Sequence, residues 1–300
     1  MTEALLPRFA LRPALLVVQG DTSSALGAAL AGFTAGVPVA HVEAGLRTHD
    51  PLLPWPEEEY RTAIDARADL LFAPTAWAAE NLAAEGVPGE VHLTGNTSID
   101  AVLALEANLP PSRRSAGELP RILVTAHRRE SWSGGLRSIA SALCELTNES
   151  RIEFVLHPNP HVAATMRELL EGKQNIELAP PCSHAELVQR MRCADLVLSD
   201  SGGIQEEAPA LGVPLLVLRD KTERPEGIAT GCARLVGTTA ERILEEVRRL
   251  LRDDSALAAM RQRSFPYGDG RAAPRMAAII DRWLEHHPVQ PSDVVTTQPR

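Results

Sequence analysis

Short, continuously apolar segments recur along this chain, and a helical stretch follows most of them. The segments lie at residues 14–19, 38–42, 69–73, 121–125, 153–156, 195–199 and 214–218. Their apolar residues do not alternate with polar ones, which is typical of strands buried on both faces of a parallel sheet. Helical patterns lie between them at residues 23–35, 76–85, 136–146, 160–171, 183–192 and 239–251. This alternation predicts a doubly wound α/β fold.

A proline-rich segment interrupts the pattern. Residues 109–120 hold prolines, serines and arginines without periodicity, and a new strand pattern follows them. We therefore expect an N-terminal domain over residues 1–110 and a C-terminal domain over residues 118–265, with a ligand cleft between them. A helix is predicted over residues 271–285. The tail, residues 286–300, is poor in apolar side chains and is predicted to be disordered.

Composition narrows the classes of function. The 300 residues carry 39 acidic against 30 basic side chains, a net charge of −9, which argues against a protein that binds nucleic acid through phosphate contacts. No apolar run is long enough to span a membrane and no signal-peptide layout opens the chain, so we expect a cytoplasmic protein. The cysteines are scattered without a CxxC motif and the histidines without HxH or HxxxH, so we expect no metal site.

The strongest local signal is a Ser-Gly-Gly loop between a buried strand pattern and a helix. Ser201, Gly202 and Gly203 open this helix, whose free N–H groups and positive dipole end suit a phosphate. Glu207, one turn further on, can accept hydrogen bonds from ribose hydroxyls. The alternative is an ordinary strand-to-helix turn in which the glycines only allow tight packing.

A second polar segment, residues 219–226, follows the strand pattern at 214–218. Arg224 offers a bidentate fork to a phosphate, and Glu223 and Glu226 can accept hydrogen bonds from sugar or base hydroxyls. The alternative is a charged surface loop.

Acidic side chains and a histidine follow further strand patterns. Asp21 and Glu43 end the first two, Glu57 opens a helix, and His127 follows the strand at 121–125. Each has a simpler explanation: Asp21 as a helix cap, Glu57 as a partner of the helix dipole, and His127 as a structural residue. Together they predict a cleft lined with general acid and base candidates.

Six motifs in order carry a family resemblance: HVEAGLRT, PWPEEEYR, HRRES, SDSGGIQEEAP, RDKTERPE and PYGDG. From about residue 15 to 284 the chain resembles the bacterial non-hydrolysing UDP-N-acetylglucosamine 2-epimerases. The resemblance implies two Rossmann-like domains in a GT-B-like fold, the C-terminal one nucleotide-binding, with the last helix packing back on the first domain. It also implies interconversion of UDP-N-acetylglucosamine and UDP-N-acetylmannosamine, for surface polysaccharide precursors, without metal or nicotinamide.

The resemblance further implies roles for single residues and a mechanism. Removal of the C2 proton and loss of UDP give 2-acetamidoglucal, to which UDP adds back after reprotonation on the other face. The implied catalytic residues are Asp21, Glu43, Glu57, Arg61 and His127; the implied substrate-binding residues are Ser201, Gly202 and Gly203 for the diphosphate, Glu207 for the ribose and Arg224.

Three departures from the family pattern qualify these expectations. Cys182 and Leu187 stand where relatives often carry glutamine and phenylalanine near the uracil, and Tyr60 replaces an asparagine. Family members also carry N-terminal βα units with a Gly-x-Arg-Pro-Glu loop, so we expect the N-terminal domain of this chain to be incomplete.

Two alternatives to the epimerase stay open: a hydrolysing relative, which the SDSGGIQEE loop fits less well, and an inactive protein that binds nucleotide sugars. The expected partners are a UDP-sugar and a second copy of the chain in a homodimer, with neither nucleic acid nor membrane.

Overall fold

A computed structural model describes residues 2–6, 13–111, 118–128, 132 and 134–287. The chain forms two compact units: the first holds the residues up to Asp100 and those from Tyr267 onward, and the second holds Ala101–Pro266. The sequence placed the boundary about ten residues later, because the break falls inside a helix, Thr97–Glu106, that carries no proline or glycine to mark it. Most of the predicted disordered tail, residues 288–300, lies outside the described residues.

The elements alternate between strand and helix for most of the chain. In chain order they are α1 (Thr2–Leu5), β1 (Leu16–Gln19), α2 (Ser23–Ala35), β2 (Val39–Val42), α3 (Glu57–Asp65), β3 (Leu70–Ala73), α4 (Ala76–Glu85), β4 (Glu90–Leu93), α5 (Thr97–Glu106), β5 (Arg121–Thr125), α6 (Gly135–Glu145), β6 (Arg151–Val155), α7 (Pro160–Leu170), β7 (Ile176–Ala179), α8 (His184–Cys193), β8 (Leu196–Ser199), α9 (Gly202–Leu211), β9 (Leu215–Val217), α10 (Pro225–Ala229), β10 (Ala233–Leu235), α11 (Ala240–Arg252), α12 (Asp254–Met260) and α13 (Ala272–His286).

The first unit is built on a parallel sheet in the order β1-β2-β3-β4. Helices α2, α3 and α4 pack on one face, where Val39 and Leu71 are fully buried. Helix α13 packs on the other face, where Phe72 of β3 and Trp283 of α13 belong to one buried apolar cluster. Because both faces are covered, the central strands β2 and β3 are buried at every position, which explains their continuous apolar sequence.

The second unit is built on a six-stranded parallel sheet in the order β10-β9-β8-β5-β6-β7. Strands β5 and β8 are neighbours, but the chain continues from β5 toward one edge and from β8 toward the other. This reversal is a topological switch point, and the loops after β5 and β8 diverge there to leave a crevice at the carboxyl ends of the strands.

The predicted fold class, α/β with two parallel sheets, is confirmed, and all the predicted strands are present. The sequence missed β4, β7 and β10. All three are edge strands, and each has partly exposed positions. An edge strand pairs with only one neighbouring strand and is partly exposed to solvent. It therefore does not need the continuous apolar run by which the other strands were predicted.

Candidate active site

In the first unit, four of the predicted site residues lie at or near the carboxyl ends of β1 and β2: one arginine and three carboxylates. Asp21 follows β1, and its Oδ2 accepts a hydrogen bond from Nη2 of Arg61 on α3. The Glu43 carboxylate lies over Gly20, since a Cβ added to Gly20 would stand 3.5 Å from its Oε2. Glu57 begins α3 one turn before Arg61, on the same face of the helix. Each of these four predicted residues thus lies at the same edge of the first sheet or at the start of the helix that contacts it.

Glu43 has a left-handed backbone, with φ 71°. For a residue with a side chain this conformation costs about 1–3 kcal/mol, and it persists only where the surroundings impose it. Two residues further on, Gly45 has φ 83° and packs so closely on α4 that an added Cβ would lie 2.2 Å from the Ala78 carbonyl oxygen. The Gly45 carbonyl accepts a hydrogen bond from the Asn81 side chain at 2.9 Å. The loop that carries Glu43 is therefore held against α4.

A buried charge cluster of His41, Arg47 and Asp65 holds the same loop from inside. Asp65 Oδ1 lies 2.5 Å from His41 Nδ1, and Asp65 Oδ2 accepts from Gly45 N–H at 3.1 Å and contacts Arg47 Nη2 at 2.8 Å. His41 Nε2 lies 2.9 Å from the Gly20 carbonyl oxygen, an acceptor, so both ring nitrogens donate and the ring is an imidazolium. The cluster therefore links the loop after β1 to the loop after β2.

The pKa directions agree with this ion pair. Burial alone lowers the pKa of His41, but the hydrogen bond and charge of Asp65 outweigh it, so the pKa of His41 is raised. Burial alone raises the pKa of Asp65, but His41 and Arg47 outweigh it, so the pKa of Asp65 is lowered. Both groups are fully buried and charged.

Sequence reasoning missed this cluster and also missed Glu58. Glu58 is buried; its Oε1 accepts the backbone N–H groups of Thr48 and His49 at 2.9 and 3.0 Å, and its Oε2 accepts from Arg61 at 3.1 Å. Of three consecutive glutamates, only the tertiary structure selects the one that faces inward. The sequence did contain a sign of this cluster: His41 is the one polar residue in the otherwise apolar strand β2, where a buried polar side chain needs a partner.

In the second unit, the predicted diphosphate loop lies at the switch point. Ser199 ends β8, and its hydroxyl accepts the Ser201 N–H at 3.0 Å and bonds the Thr125 hydroxyl at the end of β5 at 2.6 Å. Ser201 is the N-cap of α9, and its side chain makes no cap hydrogen bond. Gly203 is exposed, with no atom closer than 3.9 Å to a Cβ added there. The first N–H groups of α9 are therefore approachable by an anion.

Arg224 reaches this helix start from the loop after β9. Its guanidinium packs on Gly202 so closely that an added Cβ would lie 2.8 Å from Nη1. Arg224 is buried; its Nε donates to Glu206 at 2.6 Å and its Nη1 to Glu223. The structure thus places a positive charge at the diphosphate loop and holds it with carboxylates. Glu223 is fully buried and ion-paired with Arg219 and Arg224, so its carboxylate helps to fix this loop; a role in binding a sugar or base hydroxyl stays a prediction.

Glu207 lies one turn into α9, and most of it is buried. Its Oε1 lies 3.0 Å from Nε2 of His184, the first residue of α8. Burial raises the pKa of Glu207, and the charge and hydrogen bond of His184 oppose that rise. A carboxylate in this setting is a strong hydrogen-bond acceptor, since it has little water around it.

His127 follows β5 and lines a small pocket. Its ring stacks on that of His157 after β6, with centroids 4.6 Å apart and an interplanar angle of 6°. Beside it is a cavity of about 160 Å³ that Cys182 and Leu187 also line. These are the two residues that the sequence placed near a uracil, and the other lining residues include the apolar side chains of Val155, Leu156 and Ile204, which suit the faces of a base.

Two kinds of feature are absent from the part of the chain that the structure describes. No helix there is long and apolar enough to cross a membrane. No group of three histidine, cysteine or acidic side chains among these residues is arranged to hold a metal ion.

Comparison with known proteins places the chain in a family. The family model for UDP-N-acetylglucosamine 2-epimerase matches residues 8–281. The UDP-N-acetylglucosamine 2-epimerase of Yersinia pestis is 44% identical over 284 residues, which cover 90% of this chain and 76% of the relative. That of Escherichia coli K12 is 42% identical over the same shares.

Solved structures agree. The UDP-GlcNAc 2-epimerase of Neisseria meningitidis, solved bound to UDP-GlcNAc, has a TM-score of 0.89 and 35% identity, over 94% of this chain and 80% of that chain. An S. aureus protein solved with UDP has a TM-score of 0.87 and 35% identity, over 99% of this chain and 81% of that chain. This chain belongs to the UDP-N-acetylglucosamine 2-epimerase family.

Proposed function

We propose that this protein interconverts UDP-N-acetylglucosamine and UDP-N-acetylmannosamine by eliminating and re-adding UDP. One observation carries the proposal: the chain combines an anion-binding helix start at a switch point with an arginine-linked group of carboxylates at the ends of a second sheet. The first feature suits a diphosphate, and the second suits removal of a proton from carbon. Relatives solved with UDP-GlcNAc and with UDP support the choice of ligand.

The second unit binds the nucleotide in this proposal. The diphosphate lies at Ser201, Gly202 and Gly203, where the N–H groups of α9 donate to its oxygens. Glu207 accepts the ribose hydroxyls, and the cavity beside His127 takes the base. Arg224 and His127 offset the negative charge that grows on the diphosphate as it leaves.

The first unit supplies the proton chemistry. A carboxylate takes the C2 proton, the C2–H electron pair forms the C1=C2 double bond, and the C1–O bond breaks with its electrons on UDP. The product is 2-acetamidoglucal. A carboxylic acid then returns a proton to C2 on the other face, and UDP adds to C1. Asp21, Glu43 and Glu57 are the candidates, and the ion pair with Arg61 fixes the position of the Asp21 carboxylate.

NMR of UDP-N-acetylglucosamine in deuterated water tests the proposal. We expect deuterium at C2 together with UDP-N-acetylmannosamine. Free N-acetylmannosamine and UDP as the only products would identify a hydrolase, and UDP binding by calorimetry without C2 exchange would identify a binding protein; either outcome refutes the proposal.

Paired variants of α3 control this assay. Glu57→Gln should slow exchange about 10²–10⁴-fold while UDP still binds, because the reacting group is lost and the nucleotide contacts are not. Glu59→Gln, which changes an exposed glutamate two residues away, should leave exchange at the wild-type rate.

A homodimer and a cytoplasmic location stay predictions. Light scattering coupled to gel filtration tests the first, and fractionation of the producing cells tests the second.

A further inference from the structure

Asp200, between β8 and the diphosphate loop, is fully buried and has an unusual set of neighbours. Its Oδ2 accepts the backbone N–H groups of His127 and Arg128, both at 2.8 Å. These residues belong to the loop after β5, on the other side of the switch point. A single carboxylate therefore ties together the two loops that diverge there.

The second oxygen of Asp200 faces the His127 ring. Oδ1 lies 3.2 Å from Nδ1 of His127, and no hydrogen bond from the described residues satisfies it in this geometry. A buried carboxylate oxygen without a hydrogen-bond donor destabilises the fold. The nearby Nδ1–H of His127 is the donor that can satisfy Asp200 Oδ1. With Nδ1 turned to Asp200, Nε2 points to the opposite side of the ring.

The stacked ring of His157 limits how the imidazole can rotate. The two rings lie nearly parallel, 4.6 Å apart. The side chain of His127 is 31% exposed, so one edge of the ring meets solvent while the other meets Asp200. The ring is thus fixed by a carboxylate at one nitrogen and by a flat neighbour on its face.

We propose that Asp200 is a positioning residue of the reaction: it fixes the His127 imidazole with Nδ1–H toward its own carboxylate, so that Nε2 faces the departing diphosphate, whose growing negative charge favours a proton on that nitrogen. The inference rests on the proposed function, in which His127 stabilises the leaving UDP. A carboxylate behind a histidine sets the tautomer of the ring and stabilises its protonated form, as in other acid–base sites.

The charges around His127 give the direction of the pH effect. Burial lowers the pKa of His127, Asp200 raises it, and His157 and Arg128 lower it, so that the pKa is lowered overall. Arg128 is itself 3.7 Å from Glu223 of the loop after β9. Asp200 is thus the neighbour that favours the imidazolium, and loss of its charge should lower the pKa of His127 further.

Asp200→Asn is the decisive variant. The amide keeps the shape and one oxygen for the backbone N–H groups but loses the charge and presents an NH₂ to Nδ1. We expect kcat at neutral pH to fall at least about tenfold, with a smaller change in KM. The basic limb of the kcat profile should move to lower pH, because a lower pKa means that the imidazolium is lost earlier as pH rises.

Asp195→Asn is a matched control at the other end of β8. Asp195 is also buried, and its Oδ2 accepts a backbone N–H, that of Arg121, at 2.9 Å. The control should lower stability but leave the pH profile where it is. A profile that shifts equally in both variants would show a general effect of lost buried charge and overturn the proposal.

A double-mutant cycle separates positioning from independent action. In a His127→Asn background, Asp200→Asn should change kcat by no more than about twofold, since the group through which it acts is already gone. A further loss as large as in the wild-type background would overturn the proposal.

NMR of the ring nitrogens tests the pair without any turnover and without the Asp200 variant. In the wild-type protein, with His127→Asn for assignment, the neutral ring should carry its proton on Nδ1. A proton on Nε2 instead would overturn the proposal. Because this measurement needs no substrate, it stands even if no C2 exchange is found, which would refute the proposed function alone.

Discussion

Replacing Glu207 should separate nucleotide binding from stability. In Glu207→Ala the ribose loses a charged acceptor that is 7% exposed. Hydrogen bonds to charged groups contribute about 1.5–3 kcal/mol, which corresponds to a roughly 10- to 150-fold increase in the Kd for UDP. Isothermal titration of UDP into the ligand-free protein measures this directly. A folded variant that binds UDP as tightly as the wild type would refute the assignment of Glu207 to the ribose.

The ionised Glu207 side chain should favour UDP binding but lower the stability of the fold. Burial raises the pKa of Glu207, so the fold favours its protonated form, and that contribution to stability is lost as pH rises through the raised pKa. At pH 7 the ionised carboxylate is therefore unfavourable for folding, and Glu207→Gln should melt at the same or a higher temperature than the wild type. A clear drop in melting temperature at pH 7 would show that Glu207 is a structural residue.

His184 provides the control and a pH test. Its imidazole opposes the rise in the pKa of Glu207 from a distance of 3.0 Å. The affinity for UDP should fall as pH decreases through the pKa of Glu207, since only the ionised form is a strong acceptor. In His184→Ala this fall should begin at a higher pH. An unchanged pH dependence in that variant would contradict the ion pair.

Three further predictions concern the first unit. Glu43→Gln and Glu57→Gln should each slow C2 exchange about 10²–10⁴-fold while calorimetry shows UDP still bound; exchange at the wild-type rate would make these carboxylates structural. Gly45→Ala should prevent folding of this unit, because the new Cβ would overlap a carbonyl oxygen at 2.2 Å, whereas Gly36→Ala, with φ 67° and no atom within 4 Å, should cost only about 1 kcal/mol in chemical denaturation. Asp65→Asn should destabilise the fold by about 3–5 kcal/mol at pH 7. Since the pKa of Asp65 is lowered, urea melts should show the difference from wild type persisting down to the ordinary aspartate range and shrinking only as pH falls below it, through the lowered pKa.

The sequence by itself determined the fold class and the positions of most candidate site residues. Buried central strands must be continuously apolar, so β2, β3, β5 and β8 were visible in the sequence. The carboxyl ends of parallel strands share one edge of a sheet, so a residue that follows such a strand can be placed at that edge without a structure. Ser201, Gly202 and Gly203 were predicted as an anion site in this way, because such a site at a helix start depends mainly on local backbone.

Only the tertiary structure decided which charged residues are buried in the ion pairs and hydrogen bonds that hold the fold. Glu58 is buried whereas the adjacent Glu57 is partly exposed, and the neighbours Glu223 and Arg224 are both buried and paired with each other. Helix rotation and the packing of a loop set these differences, and neither can be read from local composition. The links of Asp65 to Gly45 and of Asp200 to His127 span 20 and 73 residues. Such contacts depend on strand order in the sheet, since it is the adjacency of β5 and β8 that brings Asp200 to His127.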